Sequence, residues 1–173
     1  MTRPISPAPA IRDERPDEQA AIHDLTQRAF APMPFAAGDE QDLIHALRNA
    51  GVLSLSLVAT SEEKLVGHVA FSPATTEDGR PGWYALGPVS VEPGLQKSGI
   101  GSALINAGIQ RLGAAGAYGF ILTGNPAYYT RFGFRPRPDL CPPQDPAEYF
   151  MVLALGDEAP SSRFAFHSLF HAG

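Results

Sequence analysis

The chain has 173 residues, 44% hydrophobic and 18% charged, which supplies one apolar core and leaves little room for a second domain. Its formal charge of −5 argues against nucleic acid as a partner, because phosphate neutralisation draws on a basic excess. A single cysteine, Cys141, excludes an intramolecular disulfide and a cysteine-rich zinc site; Met1 to Ala10 has no signal-peptide core, and Gly51 to Ala59 is too short to cross a bilayer, so a cytoplasmic protein without membrane contact is expected.

Residues 1–9 (MTRPISPAP) read as a Pro-rich flexible leader, and 10–173 as one domain. Ile11 to Glu14 suits a short edge strand. A helix is expected from Asp17, with acidic residues in its first turn and Ala21, Ile22, Leu25 and Ala29 on one face. After the loop APMPFAAGD, Asp39 to Ala50 predicts a second amphipathic helix with Leu43, Ile44, Ala46 and Leu47 inward, ended by Gly51. Leu53 to Thr60 and Lys64 to Pro73 read as a hairpin, and Trp83 to Val91 as a third strand after the turn TTEDGRPG. From Gly99 the period becomes helical, with Ile100, Ala103, Leu104, Ala107 and Leu112 as an apolar stripe. A strand at Phe120 to Thr123, a short helix at Ala127 to Phe132, a Pro-rich loop, the strand FMVLAL and the alternating segment RFAFHSLF complete the order. Hairpins followed by one strand–helix–strand crossover imply a mixed α/β sheet, mostly antiparallel.

The stretch LGPVSVEPGLQKSGIGSALINAGIQRL carries the chemistry. A strand ends at Val91, Pro93 stops its ladder, and a loop with Gly94, Gly99 and Gly101 enters a helix. Glycines there let a ligand approach the backbone, and the unpartnered N–H groups of the first helical turn favour an anion such as phosphate. A Walker A loop is excluded because Ile100 follows Gly99 where lysine is required. A dinucleotide fingerprint fails because Leu104 stands where its third small residue belongs.

The pattern Val91-x-Pro93-x-x-Gln96-x-x-Gly99-x-Gly101 resembles the GNAT superfamily of acyl-CoA-dependent N-acetyltransferases. About 25 residues on, Asn125-Pro-x-Tyr128-Tyr129-x-x-Phe-Gly-Phe resembles the YhbS-like branch of that superfamily. The resemblance implies the GNAT fold and acetyl-CoA as co-substrate, with no metal. It further implies pantetheine contacts from the backbone at Val89 and Val91. A pyrophosphate loop would be formed by Gln96, Lys97, Ser98, Gly99, Ile100 and Gly101, with Ser102 in the first helical turn and Asn125 beside the cofactor. The reaction implied is direct acetyl transfer to a primary amine of a small molecule or protein. The resemblance also implies a homodimer. Rival readings are a silent acyl-CoA-binding module and an acetyltransferase of protein N-termini or aminoacyl-tRNA, the last disfavoured by the acidic charge.

Acetyl transfer needs a neutral amine, an oxyanion donor and a proton for the leaving thiolate. Tyr129 is the candidate acid by family position, with Tyr128 second, since adjacent helical residues point about 100° apart. No base is assigned: Val91 and Glu92 point to opposite faces of the strand, and Glu40 and Asp42 read as solvated helix residues. His68 reads as a satisfied core histidine. His167 and His171 are spaced for two zinc ligands, but the alternation around them favours a terminal strand. Cys141 has no paired base in its segment.

Overall fold

Six β-branched and aromatic runs give six of the strands expected from the sequence, and two short strands join them. The computed structural model describes residues 8–34, 36–156 and 162–171, so most of the leader lies outside the described residues. The elements run β1 (Ala10–Asp13), α1 (Gln19–Phe30), α2 (Glu40–Asn49), β2 (Leu55–Ser61), β3 (Lys64–Thr76), β4 (Trp83–Val91), α3 (Ile100–Ala114), β5 (Gly119–Thr123), α4 (Pro126–Tyr129), β6 (Arg135–Pro136), β7 (Phe150–Ala154) and β8 (Phe164–Ala165). The sheet is ordered β1-β2-β3-β4-β5-β7-β6, with β8 pairing the far end of β3. Among the described strands only β4 and β5 run parallel, because α3 carries the chain from one to the other.

Alternation along the strands separates two layers. Val58 and Ala70 face α1 and α2, where Ile22 and Ile44 cover them. Their neighbours Leu57, Val69 and Phe71 face the other way and pack with Leu104 and Ile105 of α3. The close approach of α3 depends on Gly108, where an added Cβ would lie 2.2 Å from the Phe71 ring. Trp83, Ile121, Phe150 and Phe164 form a further cluster under β8, which also buries Leu140 and Cys141.

A bulge opens this sheet at its centre. Val69 pairs with Val89 and Phe71 with Leu86, so Gly87 and Pro88 of β4 oppose Ala70 alone. On the other side, β4 pairs with β5 only from Trp83↔Gly119 to Ala85↔Ile121, and the two strands then part. The Glu92 amide donates to the Val66 carbonyl at 2.9 Å, so Ser90 and Glu92 turn their backbone groups toward β3. Val89 and Val91 therefore present theirs to the open side.

Several boundaries differ from the sequence expectation. The first helix begins at Gln19, because Pro16–Glu18 forms a 3-10 turn. In α2 the buried residues are Gln41, Ile44 and Leu47, whereas Leu43 and Ala46 are only half-buried. The short helix begins at Pro126, its N-cap supplied by Asn125, and relaxes to 3-10 geometry over Thr130–Phe132. The Pro-rich segment contributes β6, whose two residues pair with β7. The closing segment is a strand only at Phe164–Ala165, and Ser168–His171 forms a 3-10 turn instead of the expected strand. Among the described residues no helix is long and apolar enough to cross a membrane.

Candidate active site

The parted strands open onto two clefts that share a wall. The first, about 660 Å³, lies between the end of β4 and the start of α3, with Val89, Val91, Gln96, Gly99 and Gly101 on its surface. Its loop takes the left-handed conformation at Lys97 (φ 66°) and Gly99 (φ 90°), and Gly99 pays no steric penalty for it. The first backbone bond into α3 runs from the Ala103 amide to the Gly99 carbonyl, so the Ile100, Gly101 and Ser102 amides remain free for an anion. Gln96 donates from Nε2 to the Val91 carbonyl at 3.4 Å, which places that carbonyl on the open side.

The second cleft, about 700 Å³, continues past Val89 and the tyrosines. Its walls include Phe30 of α1, Met33, Glu40 of α2, Pro88, Asp145 of the Pro-rich segment, and Phe166, Phe170 and His171. Met33, Val89, Lys97, Tyr128 and Tyr129 border both clefts.

The two tyrosines occupy different settings. The Tyr128 hydroxyl is 3.5 Å from Ser102 Oγ, and the Arg131 guanidinium lies 4.5 Å over its ring. Tyr129 is wedged against the end of β5, where a Cβ on Gly124 would come within 2.6 Å of its ring, and it packs on Phe132 and Phe134. Burial, and then the nearby Tyr128, push the Tyr129 hydroxyl up to about 12. Its proton is therefore held throughout the neutral range, which leaves the hydroxyl available as a hydrogen-bond donor.

The family model described as Acetyltransferase (GNAT) family matches residues 19–134. The chain belongs to the GNAT family. It is 34% identical to the N-acetyltransferase YhbS of Escherichia coli K12 over 125 residues, 72% of each chain. A GNAT acetyltransferase from Brucella melitensis, solved in complex with acetyl-CoA, superposes with TM-score 0.83 at 41% identity, covering 94% of this chain and 97% of that one. The structure of E. coli YhbS in complex with CoA gives TM-score 0.87 at 29% identity, covering 99% and 96%.

Within this GNAT chain the expected site residues do not all meet in one place. Val89, Val91, Gln96, Lys97, Gly99, Ile100, Gly101 and Ser102 line the first cleft. Ser98 instead turns its hydroxyl to the Leu95 carbonyl. Asn125 lines the second cleft, and its Oδ1 accepts the Ala127 amide at 3.0 Å, so it caps α4 rather than reaching the glycine loop. Both tyrosines border the junction of the clefts, and their rings meet edge to face with centroids 4.9 Å apart.

The remaining candidates separate cleanly. Glu92 is paired with Arg28 at 2.8 Å, and Asp42 lies 3.4 Å from His23 on an exposed surface. Glu40 does border the second cleft, while its carboxylate accepts the Ala37 and Gly38 amides. His68 is only half satisfied: Nε2 is 2.7 Å from Ser56 Oγ and Nδ1 has no partner among the described residues. Cys141 is buried away from both clefts, and burial raises its thiol. His167 Nδ1 accepts the Leu169 amide, and His171 pairs with Asp145. Among the described residues no three His, Cys, Asp or Glu side chains gather as metal ligands. Sequence reasoning missed Asp145, Phe166 and Phe170, since only tertiary packing brings them to the cleft.

Proposed function

We propose that this protein transfers an acetyl group from acetyl-CoA to a primary amine while both are bound. The observation that carries this reading is the junction of two clefts at Val89, Tyr128 and Tyr129. One cleft has the free amides, glycine loop and open strand edge suited to a phosphate and its pantetheine arm; the other is walled by side chains and suits an acceptor. The acetyl-CoA and CoA complexes of the two similar structures support the assignment of the first cleft.

Three physical demands map onto this junction. An amine of pKa near 10.4 is almost wholly protonated at pH 7, so transfer requires removal of a proton. The oxygen of the tetrahedral intermediate needs a fixed donor, and the open-edge N–H of Val89 or Val91 offers one. The departing thiolate gains from the Tyr129 hydroxyl, which is still protonated at working pH and so can donate toward the sulfur. Cys141, the one cysteine, is buried and lines neither cleft, which favours direct transfer over an acyl-cysteine intermediate.

Thiol release from acetyl-CoA with a panel of amines tests the reading. Tyr129→Phe is expected to lower kcat about 100-fold while acetyl-CoA affinity stays within about twofold. Binding of acetyl-CoA without thiol release for every amine would replace this reading with that of a silent acyl-CoA-binding module.

A further inference from the structure

The acceptor cleft holds a histidine–carboxylate pair on segments far apart in the chain. His171, on the 3-10 turn after β8, places Nε2 3.2 Å from Oδ2 of Asp145, which lies in the Pro-rich segment. The Asp145 side chain is 16% exposed and that of His171 31%. A carboxylate only accepts hydrogen bonds, so in the neutral imidazole this contact takes the Nε2 proton and leaves the lone pair on Nδ1. Phe30, Met33, Phe166 and Phe170 supply apolar walls around the pair. The titratable or charged groups facing it across the cleft are Glu40 of α2, Lys97 of the glycine loop, and Tyr128 and Tyr129 of α4. Two carboxylates against one lysine favour a cation over an anion in this space.

We propose that His171, oriented by Asp145, is the base of the reaction, and that the acceptor is a primary amine carried on an apolar body. The proposal rests on the acetyl-transfer reading above. The ammonium gives one proton to His171 Nδ1, and Asp145 stabilises the resulting imidazolium. The freed nitrogen lone pair forms the C–N bond to the thioester carbon. As the intermediate collapses, the C–S bond breaks with its electrons going to sulfur, and the second nitrogen proton reaches the thiolate by way of the Tyr129 hydroxyl. The proton on His171 leaves to solvent, so the products are the amide, free CoA thiol and one proton.

The test measures thiol release with acetyl-CoA and 2-phenylethylamine, using putrescine and phenylalanine for comparison. The wild type is expected to favour 2-phenylethylamine at least tenfold in kcat/KM over both. His171→Gln should lose at least 100-fold in kcat/KM while its melting temperature and acetyl-CoA affinity hold. Its residual rate should climb about tenfold per pH unit toward the pKa of the amine, a steeper dependence than that of the wild type. Asp145→Asn should show a smaller loss with the same change of pH profile, and added imidazole should restore part of the activity of His171→Gly.

A histidine variant with wild-type rate and pH profile, or one that imidazole does not rescue, overturns the role of the dyad. A preference for putrescine or phenylalanine overturns the acceptor class while leaving acetyl transfer intact. Silence with every amine, with acetyl-CoA still bound, overturns the acetyl-transfer reading and this proposal with it.

Discussion

His68 sits wholly inside the layer between the sheet and the first two helices, with Arg48 close enough to oppose its charge. Burial, followed by repulsion from Arg48, holds the imidazole down to about 3, whereas an unfolded histidine titrates near 6.5. Between those values the unfolded chain binds a proton that the folded one refuses. Stability from this group is therefore complete above pH 6.5 and is lost progressively as pH falls toward 3. At about 1.36 kcal/mol per unit, moving 1.5 units below the unfolded value to pH 5 removes about 2 kcal/mol, to order of magnitude. Glu18 adds almost nothing between pH 7.5 and 5, because the stability from a carboxyl that Arg12 holds down to about 2 is lost only as pH falls from the ordinary carboxyl value of 4.5. Urea unfolding of the wild type and of His68→Gln at pH 7.5 and 5.0 reads the effect directly. The glutamine keeps a partner for Ser56 and does not titrate, so the variant should lose about 2 kcal/mol less than the wild type between the two pH values. Equal losses in both proteins would refute the argument, whatever their absolute stabilities.

Two glycine substitutions test the packing around the clefts. Gly108→Ala drives a methyl into the Phe71 ring and should destabilise the fold by about 1–3 kcal/mol in urea unfolding. Gly101→Ala would place its methyl 3.2 Å from the Tyr128 hydroxyl and 3.5 Å from a Val91 methyl, filling the gap between α3 and β4. Its acetyl-CoA affinity, measured by calorimetry, should fall about tenfold, and an unchanged affinity would remove the glycine loop from the cofactor cleft.

Local chemistry made part of this molecule readable in advance. Trp83 to Val91 is an unbroken strand signal between Gly82 and Pro93, and the observed β4 has those same limits. Gly99 takes a left-handed conformation that glycine tolerates freely, but Lys97 adopts one too, with no mark in its residue type. The two-residue strand β6 lies inside a run of prolines and exists only because β7 offers a free edge. His171 was legible as half of an i, i+4 histidine pair. Its actual partner, Asp145, is 26 residues away, so the contact arises from how the closing segment folds back on the Pro-rich one. Phe166 and Phe170 of the same closing segment pack against the Trp83–Phe164 cluster and also line the cleft.

The parting of β4 from β5 has a consequence for solubility. An interior strand with its N–H and C=O groups unpaired is chemically the same template that drives sheet-to-sheet association when it lies on an outer edge. The true outer edges here are short: β1 has four residues, and β6 has two with a proline among them. The exposed ladder of Val89 and Val91 sits instead at the bottom of a cleft, between the start of α3 and the tyrosine pair. At the wall of a cleft the ladder offers another polypeptide less access than an outer edge of the same length would.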